Sequence, residues 1–271
     1  LPINNTNKTR IHSYGCSYTA GAELFDHLID PKADAIKRKR GFLDWLNNHV
    51  HSHTLEFVAH VWELERNNAW PAIVAQHYQV DFLNNAKGGS ALAMSLLAFE
   101  QDLITNPQLV NDTLFLFGIT NSSRILKFNS GQAQTLLLAM PECWRDPRLD
   151  LHTVLDLWDE TAITWQHLQL LQRLLAVADR SGATVLIFDM MGYLSGPWWH
   201  QPAITAAQPY PYMFTTFDHV WNQIIADPRM CVKQSLQGQL PASFHGLGHP
   251  TISMHQSFSQ YVIDCIDSGL R

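Results

Sequence analysis

The sequence has no run of about 18 apolar residues, so it offers no candidate for a membrane-crossing helix. It also lacks an excess of positive charge. Its 18 Lys and Arg against 24 Asp and Glu give a net charge of −6, which argues against a nucleic-acid or anionic-membrane partner. The one basic run, KRKR at Lys37–Arg40, is accounted for by a solvated helix face. Cysteine is scarce. Cys16, Cys143, Cys231 and Cys265 form no close pair and no metal-ligand spacing, so reduced thiols in a cytosol-like compartment are expected, not a disulfide framework. The opening LPINNTNKTR is polar and has no apolar h-region, so no signal peptide is expected in it. Internal repeats and low-complexity linkers are missing as well. The 271 residues are therefore read as one domain, 1–271, long enough to bury a sizeable core.

What is present is an alternation of strand and helix patterns. RIHSYG (Arg10–Gly15) reads as a first strand, and Cys16–Ile29 as a helix stopped by Asp30-Pro31. Residues 22–68 read as a helical insertion, with apolar residues at helical spacing in FLDWLNNHV and TLEFVAHVWELER. WPAIVAQHY has Pro71 in a first helical turn, where its missing N–H costs nothing. QVDFLNNA is a second strand and GSALAMSLLAFEQDLI a helix. TLFLFGIT and ATVLIFD are continuous apolar runs, as strands buried on both faces require. Residues 128–158 read as irregular, with a helix near Leu151–Trp158. A long amphipathic helix ends at Gly182, residues 192–216 read as a long Pro- and aromatic-rich loop, and a last helix begins near Thr251. The pattern predicts an α/β fold: a three-layer α/β/α sandwich around a mostly parallel sheet.

In open sheets of this kind, ligands sit beyond the carboxyl ends of the strands. The residues there are Ser17, Gly89, Asn121 and Asp189. Ser17 supplies a hydroxyl, Gly88-Gly89 let backbone N–H groups approach a ligand, and Asn121 offers an amide donor. A hydroxyl with several donors for one oxygen is the layout of an acyl-transfer site. HGLGHPT adds a base, with His245 and His249 just before the last helix. Each residue also has a plainer reading. Ser17 can be a helix N-cap, Gly89 a tight turn, Asn121 an Asx turn and His249 a polar residue before a proline.

Taken together, four blocks resemble the SGNH (GDSL-type) hydrolases. They are YGCSYTAG with Cys16 where the family has Asp, NNAKGGS, FGITN and GHPT; NNAWPAIVAQHY also resembles the helix before the second block. The resemblance implies a flavodoxin-like sheet and a serine esterase without a cofactor. Ser17 would be the nucleophile and His249 the base. The Ser17 and Gly89 N–H groups and the Asn121 amide would form the oxyanion hole. The family usually has an Asp three residues before the His, and here that residue is Gly246. Asp189 and His245 are substitute orienting groups, and a backbone carbonyl of the Ser243–Leu247 loop is the expected acceptor for the second imidazole nitrogen. The resemblance also implies a small-molecule or carbohydrate ester, such as an O-acetyl group, as substrate. Two other functions remain open: acyl transfer to another hydroxyl, and a binding or structural (for example virion) role on a degenerate scaffold. Trp198 and Trp199 either line a substrate groove or pack inside. The histidines His49, His51, His53 and His60 lack an accompanying carboxylate or cysteine pattern, so no metal is expected. Cys16 beside Ser17 is expected to pack inward.

Overall fold

The computed structural model describes residues 8–21, 55–87, 90–119, 124–129, 132–137, 160–189, 220, 222–231 and 252–268. For residues 17, 18, 55–61, 124–129, 132–137 and 160–164 it gives the backbone alone.

Among the described residues, five strands form one wholly parallel sheet in the order β2-β1-β3-β6-β7: β1 (Arg10–Tyr14), β2 (Asp81–Asn84), β3 (Thr113–Gly118), β6 (Thr184–Phe188) and β7 (Met230–Cys231). Tyr14 pairs with Phe117, and Phe117 with Ile187, so one row across three strands of the sheet is made of large apolar side chains. Every residue of β3 is buried, as expected of a central strand covered on both faces.

The two faces follow the period of two. Tyr14, Phe115, Phe117, Val185 and Ile187 point to one side. There they pack on α4 (Leu92–Thr105) through Leu92, Leu96 and Phe99, and on α6 (Glu160–Ser181) through Leu168, Leu171 and Leu174. Ile11, Leu114, Leu116, Leu186 and Phe188 point to the other side. They meet α3 (Trp70–Tyr78) through Trp70 and Val74, and α7 (Ile252–Asp267) through Phe258, Val262 and Ile266. Helices thus cover both faces, which gives the three-layer sandwich expected from the sequence.

α3 and α7 run side by side in one direction. At one end the Trp70 N–H donates to His255 Nδ1 at 3.0 Å, and at the other the Tyr78 hydroxyl donates to Asp267 Oδ1 at 2.8 Å. The first bond satisfies an N–H at the start of α3, where Ala69 provides no side-chain cap. α3 then turns through Gln79, in the left-handed region at φ 56°, and feeds β2 at the amino edge of the sheet. The N-termini of α3 and α7 therefore lie at the carboxyl edge.

Several boundaries differ from the sequence reading. The helix after β1, α1, covers Ser17–Ala20, and Gly21 ends it at φ 79°; residues 22–54 lie outside the described residues. Within the expected insertion, α2 occupies Leu55–Asn68. The stretch from 128, read as irregular, begins inside an antiparallel hairpin, β4 (Arg124–Asn129) with β5 (Gln132–Leu137), whose Asn129 pairs with Gln132 across two connecting residues. The reading also overlooked β7, which follows helical residues 222–226. A short helix, α5 (Leu109–Asp112), leads into β3. The loop 192–216 lies outside the described residues.

Candidate active site

The strand order makes β1 a branch point. The chain leaves β1 to form β2 on one side, then crosses to form β3 on the other. In doubly wound sheets the crevice at such a switch point, at the carboxyl ends, is where ligands bind. The turn that follows β1 there is Gly15-Cys16-Ser17.

This turn is tight. A Cβ at position 15 would lie 2.3 Å from Thr19 Oγ1 and 2.9 Å from the Gly118 carbonyl, so only glycine fits between α1 and the end of β3. The Cys16 carbonyl then accepts the Thr19 and Ala20 N–H groups at 3.0 and 2.9 Å, which starts α1 within one residue of the strand. Cys16 itself is buried, as expected. Ser17 opens α1 at the carboxyl end of a central strand; its side chain lies outside the described residues.

The end of β2 is fastened to this turn by side chains. Asn84 Oδ1 accepts from Ser13 Oγ at 3.0 Å and from the Ala86 N–H at 3.1 Å, while Asn84 Nδ2 donates to the Thr19 carbonyl at 3.0 Å. Asn85, the next residue, points the other way. Its Nδ2 donates to Asp102 Oδ2 at 2.8 Å, the same oxygen that takes the Tyr14 hydroxyl at 2.5 Å. Burial, and then the bond to Asp102, hold the Tyr14 phenol well above its ordinary range, so it stays a neutral donor. His12 Nδ1 lies 4.0 Å from Asp102, and burial lowers the pKa of its imidazole. Tyr14 is wholly buried and stacked on Phe117, while Asn85 and Asp102 are half-buried, so the network fastens the end of β1 and the loop after β2 to α4.

The Lys87 N–H reaches the Gly15 carbonyl at 3.2 Å, and the Ser90 N–H returns to the Lys87 carbonyl at 3.1 Å. Gly89 lies between them, outside the described residues. On the other side of β1, the Ile119 N–H continues the ladder to the Phe188 carbonyl at 2.8 Å; Asn121, two residues on, is also outside the described residues. Asp189 is buried directly after β6. It stands two strands from β1, about 10 Å at the usual inter-strand spacing, so it can reach Ser17 only through an intervening group.

His245, His249, Trp198, Trp199, His49, His51 and His53 lie outside the described residues, as does the side chain of His60. The structure thus brings Ser17 and Asp189 to one edge of the sheet, together with the segments that flank Gly89 and Asn121. The sequence pattern offers Asn84 only as part of the NNAKGGS block and gives no sign of Ser13 or Asp102 at the site. The doubled asparagine at a strand end was the available signal, since two adjacent amides there must point to opposite faces. Among the described residues, no cluster of His, Cys, Asp or Glu is arranged to hold a metal, and no helix is long and apolar enough to cross a membrane.

No protein-family model matches the chain, and neither does any curated protein sequence. Solved structures do. The structures that this chain resembles are SGNH/GDSL hydrolases and esterases. One is a G-D-S-L family protein from Desulfitobacterium hafniense DCB-2, at 10% identity and TM-score 0.42, covering 95% of this chain and 99% of that one. Another is the acetylxylan esterase Axe2 from Geobacillus stearothermophilus, at 11% identity and TM-score 0.44, covering 95% and 94%. A third is LAE5, an α/β hydrolase from the metagenome of Lake Arreo, at 11% identity and TM-score 0.45, covering 96% and 95%. At TM-scores below 0.5 these likenesses bear on neither the site nor its chemistry.

Proposed function

We propose that this protein is a serine ester hydrolase acting through Ser17. The observation that carries the reading is the Gly15-Cys16-Ser17 turn at the switch point between β1 and β3. A strand that turns sharply into a helix exposes the first helical residue at the edge where ligands bind. The placement of α7 supports the same reading. Its first turn lies at the carboxyl edge, held by the Trp70–His255 bond, and His249 precedes Ile252 by three residues, about 10 Å of chain at most. A base there serves Ser17; a base at the amino edge would not.

The reaction is acyl transfer to water. His249 takes the Ser17 proton as Oγ attacks the ester carbonyl. The oxyanion is held by the Ser17 and Gly89 N–H groups and the Asn121 amide. Collapse of the intermediate expels the alcohol, which takes the proton from the imidazolium, and water then releases the acid by the same steps. A backbone carbonyl of Ser243–Leu247 holds the second imidazole nitrogen, because Gly246 offers no carboxylate; Asp189 is the competing acceptor. The substrate is an ester of a small acyl group, O-acetyl carbohydrate included, with Trp198 and Trp199 against its sugar or acyl part.

The test is hydrolysis of p-nitrophenyl acetate. Ser17→Ala should lower turnover on the order of 10⁴- to 10⁶-fold. Asn121→Ala, which removes one donor of three, should lower it roughly 10²- to 10³-fold. Wild-type turnover in Ser17→Ala would refute the assignment.

A further inference from the structure

We infer that Asn84 is a positioning residue that holds the Ser17 turn in register with the loop leading to Gly89; its effect on rate rests on the serine-hydrolase reading above. One planar amide joins three pieces of chain. Its oxygen takes the Ser13 hydroxyl of β1 and the Ala86 N–H of the loop after β2, and its nitrogen donates to the Thr19 carbonyl of α1. Asn84 is 6% exposed and Ser13 is wholly buried, so water does not replace these partners. The Ala86 N–H requires an oxygen at one end of the amide, and the Thr19 carbonyl requires N–H at the other, so its orientation is fixed. Aspartate cannot donate, alanine does neither, and glutamine is one methylene longer.

α1 is four residues long, too short to be stable alone, so its orientation depends on such attachments. Backbone bonds already tie β1 to the β2 loop, from the Asn85 N–H to the Ser13 carbonyl at 2.8 Å and from the Lys87 N–H to the Gly15 carbonyl at 3.2 Å. Neither touches α1. The Asn84 amide does, from the side of the loop that leads to Gly89. The Ser17 and Gly89 N–H groups must converge on one oxygen, and a displacement of about 1 Å between such groups costs on the order of 10²-fold in rate.

The experiment compares wild type, Asn84→Ala and Asn84→Asp at a temperature where each is folded by near-ultraviolet circular dichroism. Turnover on p-nitrophenyl acetate, labelling by a fluorophosphonate and amide hydrogen exchange are measured on each. Both variants should lose on the order of 10²-fold in kcat with KM nearly unchanged, and labelling should slow in proportion. Exchange should separate them. Asn84→Asp keeps both accepting bonds and loses only the donation to Thr19, so the Thr19 and Ala20 amides should exchange faster while Ala86 stays protected. Asn84→Ala should speed all three. Wild-type kcat and exchange in either folded variant would overturn the inference. Should wild type itself neither hydrolyse nor label, the hydrolase reading falls alone. The exchange pattern then decides the Asn84 attachment: faster Thr19 and Ala20 amides uphold it and unchanged ones overturn it.

Discussion

Gly15→Ala is the substitution that most directly probes the turn on which the site depends. The added methyl would stand 2.3 Å from Thr19 Oγ1, 2.8 Å from Thr19 Cβ and 2.9 Å from the Gly118 carbonyl. Carbon contacts are comfortable near about 3.5–4.0 Å, so all three must give. Thr19 is wholly buried, and the Gly118 carbonyl belongs to the backbone of β3, so neither moves cheaply. Overpacking by one methyl costs about 1–3 kcal/mol. A φ of 155° at this residue, unusual for an L side chain, adds about 1–2 kcal/mol. The expected loss is then about 2–5 kcal/mol, read as a lower urea midpoint at unchanged slope. Adding Thr19→Ala removes the shortest contact and leaves the other two, so the double variant should be more stable than the sum of the singles by about 1 kcal/mol. A Gly15→Ala protein within about 0.5 kcal/mol of wild type, or a strictly additive pair, would refute the packing argument.

Three further outcomes follow from titratable groups and from the missing acid. His167 on α6 is buried, and burial lowers the pKa of its imidazole to about 4. The unfolded chain takes up that proton below about pH 6.5 while the folded chain stays neutral, so stability falls as pH falls, by about 1.4 kcal/mol per unit in that window. His167→Leu should flatten the drop in urea midpoint between pH 7 and 5; identical slopes in the two proteins would contradict this. The neighbouring Cys231 lowers the Cys265 thiol, while Cys265 and then burial raise Cys231, whose Sγ donates to the Arg229 carbonyl. Iodoacetamide at neutral pH should therefore alkylate Cys265 before Cys231, read by peptide mass, and the reverse order would sink the assignment. Gly246→Asp should raise turnover and move the rate profile toward higher pH, since a carboxylate stabilises the imidazolium, while Asp189→Asn should leave both near wild type. A large loss in Asp189→Asn would make Asp189 the orienting acid and remove the carbonyl proposal.

The central strands were legible because burial on both faces leaves an unbroken apolar run. TLFLFG became β3 and TVLIF became β6, each at the place read from the sequence. α6 was equally legible, since its amphipathic pattern ends at Gly182, which adopts φ 73°. The hairpin RILKFN–QAQTLL was missed because it lies outside the five-stranded sheet and neither strand has the apolar continuity of a core strand. Of β7 the described residues are Met230 and Cys231, whose pairing with Ile187 and Phe188 is set by the sheet. Gly21 was read as helix interior, whereas its left-handed backbone closes α1. At the site, the sequence located Ser17 and Asp189 at strand ends because strand ends follow from strand patterns. The Asn84 attachment was not legible, because which carbonyl an amide meets depends on packing between β1, α1 and the β2 loop. Asp102, in the last turn of α4, carries no local sign that it would meet Tyr14 and Asn85.

The most direct measurement is mass spectrometry of the intact protein after incubation with a fluorophosphonate, followed by peptide mapping. One adduct is expected, on Ser17, formed at a rate that falls as the base is protonated and absent in His249→Ala. An unlabelled wild-type protein, or an adduct on any residue other than Ser17, would contradict it.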